Sequence, residues 1–232
     1  MRTTKDQTIF ISLIVVIVSL AISLVIFFFC SRLPAKDEVN EMPPSDVVQA
    51  AVEGLRPLLE SVPDEDIVNY GFSSKEELSQ ATVGEPFRIY TITPDKIMHY
   101  TEEIELTSLI SPTSLWIFPV LCRSEVRTLL TVDFVNGEPK AVAIGSSGLA
   151  RQLALVKSKW PRSDGYDYKF IRIYQANADF VLLLKNGVVK ITPLDSAALI
   201  LKLKKTAQGV YELYNPSEII PKLIPIVRQA LY

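Results

Sequence analysis

The sequence predicts an α+β fold, a mostly antiparallel sheet with flanking helices, preceded by one transmembrane helix. Three observations predict it. A run without any charged side chain extends from Gln7 through Ser31. Short stretches rich in β-branched and aromatic residues follow one another between residues 87 and 192. Two Asn-Gly pairs, Asn136-Gly137 and Asn186-Gly187, stand between such stretches, and Asn-Gly suits the tight hairpin turn in which both central residues need positive φ. Hairpins impose antiparallel pairing, because a parallel neighbour needs a long crossover.

The apolar run comes first. Residues 1–7 are a short tail and residues 8–30 the expected membrane anchor. At about 1.5 Å per residue, 25 uncharged positions reach roughly 37 Å, enough for a hydrocarbon core of about 30 Å with some tilt. Leu, Ile, Val and Phe fill 17 of the 21 positions from Ile9 to Phe29. Their insertion is worth about −5 to −10 kcal/mol, a term that outweighs the opposing Ser12, Ser19 and Ser23. The run exceeds the apolar part of a cleaved signal peptide, and Leu33-Pro34-Ala35 lacks the small residue that cleavage prefers. Arg2, Lys5 and the terminal amine lie on one side, Arg32 and Lys36 on the other, so the amine breaks the tie. The expected orientation is N-terminus in the cytoplasm, domain outside it.

Residues 31–45, with three prolines and five charges, read as an extended linker. Residues 46–232 read as a soluble α+β domain with possible subunits 46–112, 113–161 and 162–232. Its first helix, capped by Ser45 or Asp46, carries Val48, Ala51, Val52, Leu55, Leu58, Leu59 and Val62 at spacings of three and four. Pro57 should kink it. A second short helix covers 75–81 behind Ser73 or Ser74. Residues 87–92 alternate as a half-buried strand. Strands then follow at 116–121, 126–135 and 140–144, with a helix at 149–160. Strands recur at 168–175, 180–184 and 188–192, and an apolar stretch at 196–204 completes a possible second β-β-β-α unit. That stretch forms a helix, or else a hairpin with 210–214. Asn215-Pro216-Ser217-Glu218 opens a last helix, with cap, proline at the first position and reciprocal Glu. Pro221 and Pro225 should break or kink its first turns.

Net charge is −2, yet it is unevenly placed. Residues 31–105 carry 6 basic against 16 acidic side chains, and residues 106–232 carry 16 against 9. A basic half can seek an anionic partner, or the two halves can neutralise each other. Two cysteines, Cys30 and Cys122, exclude a disulfide within the soluble domain and any Cys-x-x-Cys motif. His99 is the single histidine, which excludes a multi-histidine metal site. A nucleophile–histidine arrangement would have to use it, and it lies among polar loop residues. Asp64-Glu65-Asp66 and Glu102-Glu103-x-Glu105 lack the spacing of a calcium loop. No cofactor is implied.

The most suggestive turn is Gly145-Ser146-Ser147-Gly148, between an expected strand and an expected helix. Backbone N–H groups at a helix start can hold an anion, and Arg151 adds charge; a tight bend and a cap explain the same residues. A basic and aromatic interleaving runs through Lys157, Lys159, Trp160, Arg162, Tyr166, Tyr168, Lys169, Arg172 and Tyr174. It suits an anionic envelope polymer or lipid headgroup, or simply a loop and one strand face; nucleic acid is not expected outside the cytoplasm.

Residues 70–78 (YGFSSKEEL), then 84–92 (GEPFRIYTI), with Ser111-Pro112 and the strand at 116–120, resemble uncharacterised single-pass membrane proteins of bacteria. The resemblance implies a bacterial envelope setting and carries no activity or site. The expected function is therefore a membrane-anchored extracytoplasmic binding or assembly module. Its partners would be the bilayer, through residues 8–30, and another envelope protein or an anionic envelope polymer. The alternatives are an envelope hydrolase and an inhibitor-like or sensory domain acting on a partner protein.

Overall fold

The computed structural model describes residues 42–231, so the anchor expected over 8–30 lies outside the described residues. Among the described residues no helix is long and apolar enough to cross a membrane. The chain runs α1 (Ser45–Glu60), α2 (Lys75–Leu78), β1 (Thr82–Val83), β2 (Phe87–Thr91), α3 (Pro94–Met98) and α4 (Leu106–Leu109). Then come β3 (Ser111–Cys122), β4 (Glu125–Val135), β5 (Glu138–Gly145) and α5 (Ser147–Lys159). It closes with β6 (Asp167–Ile173), β7 (Ala178–Lys185), β8 (Val188–Pro193), α6 (Asp195–Leu201) and α7 (Pro216–Leu231).

The strands form one sheet in the order β5-β4-β3-β2-β6-β7-β8, with β1 also on β3. Every pairing is antiparallel except β2 with β6, which is parallel at Ile89↔Phe170 and Tyr90↔Ile171. Both Asn-Gly turns close hairpins as their chemistry requires, Asn136 and Asn186 at φ 54° and 51° and their glycines at 83° and 77°.

Side-chain alternation divides the burial between two faces. On one face Trp116, Phe118, Val120 and Cys122 of β3 meet Val47, Ala51, Leu55 and Leu59 of α1. The same face farther along packs Tyr90, Ile171, Phe180 and Leu182 against Ile219, Ile220, Leu223 and Val227 of α7. The opposite face sets Ile89, Ile117, Phe170 and Val181 against Ala150, Leu153 and Val156 of α5. The flanking helices cover both faces, because β6 and β7 are apolar on both sides and require two layers. All three cores draw on residues 47 to 227, inside the compact unit Val39–Tyr232, so a fragment from Val39 retains every residue of the three cores.

Other expectations are also corrected. The first helix opens behind Pro44 rather than behind a Ser or Asp cap; it ends at Glu60 with Pro57 inside it. α7 continues through Pro221 and Pro225, so neither proline breaks it. Both of these prolines face solvent, where water satisfies the carbonyls they free, while the buried stripe beneath holds the helix together. Residues 201–204 do not pair with 210–214; instead Tyr214 bridges Ile191 and lengthens the edge beside β8. β3 starts at Ser111, five residues before the first residue expected of it. Its central Pro119 is tolerated because the side facing β1 and β2 holds two short strands with a gap between them. There the Pro119 carbonyl accepts from Gly84 N–H at 2.7 Å, and no donor is needed.

The approach of α1 to β5 depends on Gly54. A Cβ built there would lie 2.2 Å from the Ala141 Cβ. Gly54→Ala should therefore destabilise the fragment by about 1–3 kcal/mol through overpacking, despite the roughly 1 kcal/mol that alanine gains in helix propensity. Chemical denaturation checks this, and Gly54→Ala with Ala141→Gly should recover most of the loss. A stabilised single variant would overturn the close-approach argument.

Candidate functional site

A concavity with an apolar lining lies between α1, α2 and β1. Val52, Leu55, Arg56 and Leu59 supply one wall, Leu78, Ala81, Thr82 and Val83 the other, around roughly 320 Å³. That volume stands at the low end of the range for binding pockets, about 300–1,000 Å³. Two local causes hold it open. Arg56 reaches across to donate to the Ser79 carbonyl at 3.2 Å, fixing the distance between the walls. Glu77 anchors α2 from beneath: it accepts from Ser73 N–H at 2.8 Å and faces Arg127 at 3.5 Å, while Cys122 Sγ lies 3.7 Å from its carbonyl.

β1 gives the groove a polar floor. It pairs with β3 as Thr82↔Leu121 and Val83↔Val120, and Gly84 N–H bonds Pro119. Hydrogen-bonded and non-bonded pairs alternate in an antiparallel ladder. Val83 therefore turns its N–H and C=O away from β3, toward the open edge. Its side chain packs on the α1 core, while Val52 stays 57% exposed on the opposite wall. An extended segment could register on Val83 and place an apolar side chain between the walls, the mode of strand addition.

The residues singled out in the sequence go elsewhere. Gly145 ends β5 at φ 150°, Ser146 is left-handed at φ 64°, and Ser147 begins α5. The Ser147 hydroxyl donates to the Asn69 carbonyl at 2.9 Å, so it braces the loop before α2. Gly148 has open space about its Cα, and Arg151 is exposed on α5. The turn thus has a structural duty, and anion docking there stays an expectation of the sequence.

The basic and aromatic run is split by strand alternation. Tyr168 points to the α5 side, its hydroxyl donating to the Trp160 carbonyl, and Lys169 points to the other. Lys157 and Arg162 both pair with Glu85, at 3.0 and 3.1 Å, and Arg162 also pairs with Asp167. Arg172 makes a two-pronged contact with Asp179 at 2.8 and 2.9 Å. These cations hold the fold rather than presenting one surface. His99 is exposed at a helix end beside Asp95. Cys122 is fully buried. Asp64 pairs with Lys75 at 2.6 Å. Among the described residues no group of three His, Cys, Asp or Glu is placed to hold a metal ion.

A polar cluster that the sequence did not flag joins α5, α6 and the segment before α7. Asp195 accepts from Tyr211 OH at 2.9 Å and pairs with Lys205 at 2.8 Å, and its own N–H donates to Gln152 at 2.6 Å. Single residues 16 and 43 positions apart gave no pattern to find. Comparison with known protein families, curated proteins and solved structures finds no match to this chain.

Burial, then the hydrogen bond to Asp195, push the Tyr211 phenol up to about 12. The folded form thus keeps this proton where the unfolded chain, near 10, has lost it. The stabilisation is full below about pH 10 and is lost as pH rises through about 12. Unfolding midpoints measured from pH 9 to 12 should fall less steeply in Tyr211→Phe than in the wild type; equal slopes would remove Tyr211 from the alkaline response.

Proposed function

We propose that this chain is a membrane-anchored module, displayed outside the cytoplasm, that binds a segment of another envelope protein. The observation that carries the binding role is the groove between α1 and β1, with its apolar walls and the Val83 backbone N–H and C=O turned away from β3. The uncharged run over residues 7–31 supports the anchor, and the positive N-terminal tail supports the orientation. An extended peptide with one or two large apolar side chains fits both features: main-chain bonds give affinity and the pocket selects the side chain.

Topology has a direct test. Protease added to spheroplasts should digest the domain without lysis. Protection until lysis would refute the outward orientation, and release of a mature protein starting near Lys36 would refute the anchor.

The groove has its own. Full-length protein solubilised from membranes should retain a protein partner that Val52→Asp loses. Val52 is exposed, so this change should leave the unfolding midpoint within about 1 °C, since surface substitutions usually stay within about 0.5 kcal/mol. Undiminished retention by Val52→Asp would exclude the groove as the binding site.

A further inference from the structure

Among the described residues that line the groove between α1 and β1, only Arg56 is charged. It leans across the groove, where Nη2 donates to the carbonyl of Ser79 at the end of α2. Glu60 stands four residues on along α1, the spacing of a helix ion pair. Arg56 nevertheless makes no ion pair among the described residues. Glu53, three residues before it, accepts from Gln49 instead. A neutral carbonyl thus uses one arm of the guanidinium, and the other donors of the fork face the groove without a carboxylate.

The same bridge limits what can lie on β1. Ser79 leads through Gln80 and Ala81 into Thr82, so the Arg56–Ser79 contact crosses the groove at the Thr82 end of the strand. A segment registered on Val83 and running on past Thr82 would have to part Arg56 from Ser79. A chain that ends there leaves the bridge in place, and its terminal carboxylate supplies the counter-charge that Arg56 lacks.

We propose that the groove takes the C-terminus of its partner: a free carboxylate on a last residue with a large apolar side chain, lying antiparallel to β1. The inference rests on the strand-addition reading of the groove and names its occupant. Opposite Val83, the last residue donates its N–H to the Val83 carbonyl, and one carboxylate oxygen accepts from Val83 N–H, the exchange of an antiparallel pair. The second carboxylate oxygen accepts from Arg56, a charge-assisted bond. Opposed residues share a face of the sheet, and Val83 packs on the α1 core. The last side chain therefore falls between the walls, among Leu55, Leu59 and Leu78.

The test uses the full-length protein in lipid nanodiscs, since detergent can occupy an apolar groove, and follows the Val83 N–H and Arg56 Nε–H signals by NMR. The probes, at millimolar concentration, are acetyl-Ala-Val-Leu with a free carboxylate, its C-terminal amide, and the same tripeptide extended by Gly-Gly-amide. The free acid should shift both signals. The amide and the extended peptide should bind about tenfold more weakly, the low end for a hydrogen bond to a charged group because Arg56 is exposed. Arg56→Gln keeps a donor for Ser79 and removes the charge. It should bring the three peptides to equal affinity and leave resonances away from the groove in place. Equal binding of acid and amide by the wild type, or a preference that survives Arg56→Gln, overturns the C-terminal occupant and leaves the groove standing as a peptide site. Val83 unmoved by all three peptides removes the groove itself, and the C-terminal occupant with it.

Discussion

The parallel contact between β2 and β6 is the constraint on which the rest of the structure depends. It consists of two register positions, Ile89↔Phe170 and Tyr90↔Ile171. On one side of it lies the antiparallel run β2-β3-β4-β5, and on the other the run β6-β7-β8. Each run exposes apolar residues on both faces and cannot bury them alone. So short a ladder holds because its side chains are shared: Ile89 and Phe170 enter the core under α5, Tyr90 and Ile171 the core under α7. The seam is therefore secured by packing above and below it more than by its own hydrogen bonds.

That seam also explains what could be read in the sequence. Features that act over a few residues were legible: the Asn-Gly hairpins, the amphipathic face of α1, the reciprocal Asn215–Glu218 cap, in which Asn215 N–H donates to Glu218 at 2.6 Å. The order strand-strand-strand-helix was visible twice, and the structure has β3-β4-β5-α5 and β6-β7-β8-α6. The parallel pairing was not, because Ile89 and Phe170 are 81 residues apart and a strand's pattern does not name its neighbour. Burial of β6 and β7 on both faces was partly concealed as well. Asp167, Lys169 and Arg172 interrupt the apolar residues of β6, and only the fold shows that Asp179 meets Arg172.

The candidate site was less legible than the fold, for a related reason. The sequence draws attention to unusual residues: a lone histidine, a glycine-serine turn, a basic and aromatic stretch. Most of these are consumed by structure, as Arg162 and Lys157 are by Glu85, and Ser147 by Asn69. The groove is made from ordinary ones, Val52, Leu55, Leu78 and Val83, whose neighbourhood exists only once α1 crosses the sheet at Gly54. A periodic helix shows which face is buried and not where that face stops short of its neighbour.

The groove offers few atoms, so a free peptide would bind it weakly once its ordering entropy is counted. A domain held at a bilayer meets partners of the same membrane at an effective concentration set by its linker, in the millimolar range for short flexible ones. Weak groove contacts suffice under that condition and fail in dilute solution. A shallow apolar slot on a stably packed sheet is thus the kind of site that membrane tethering makes useful, and it needs no large interface of its own.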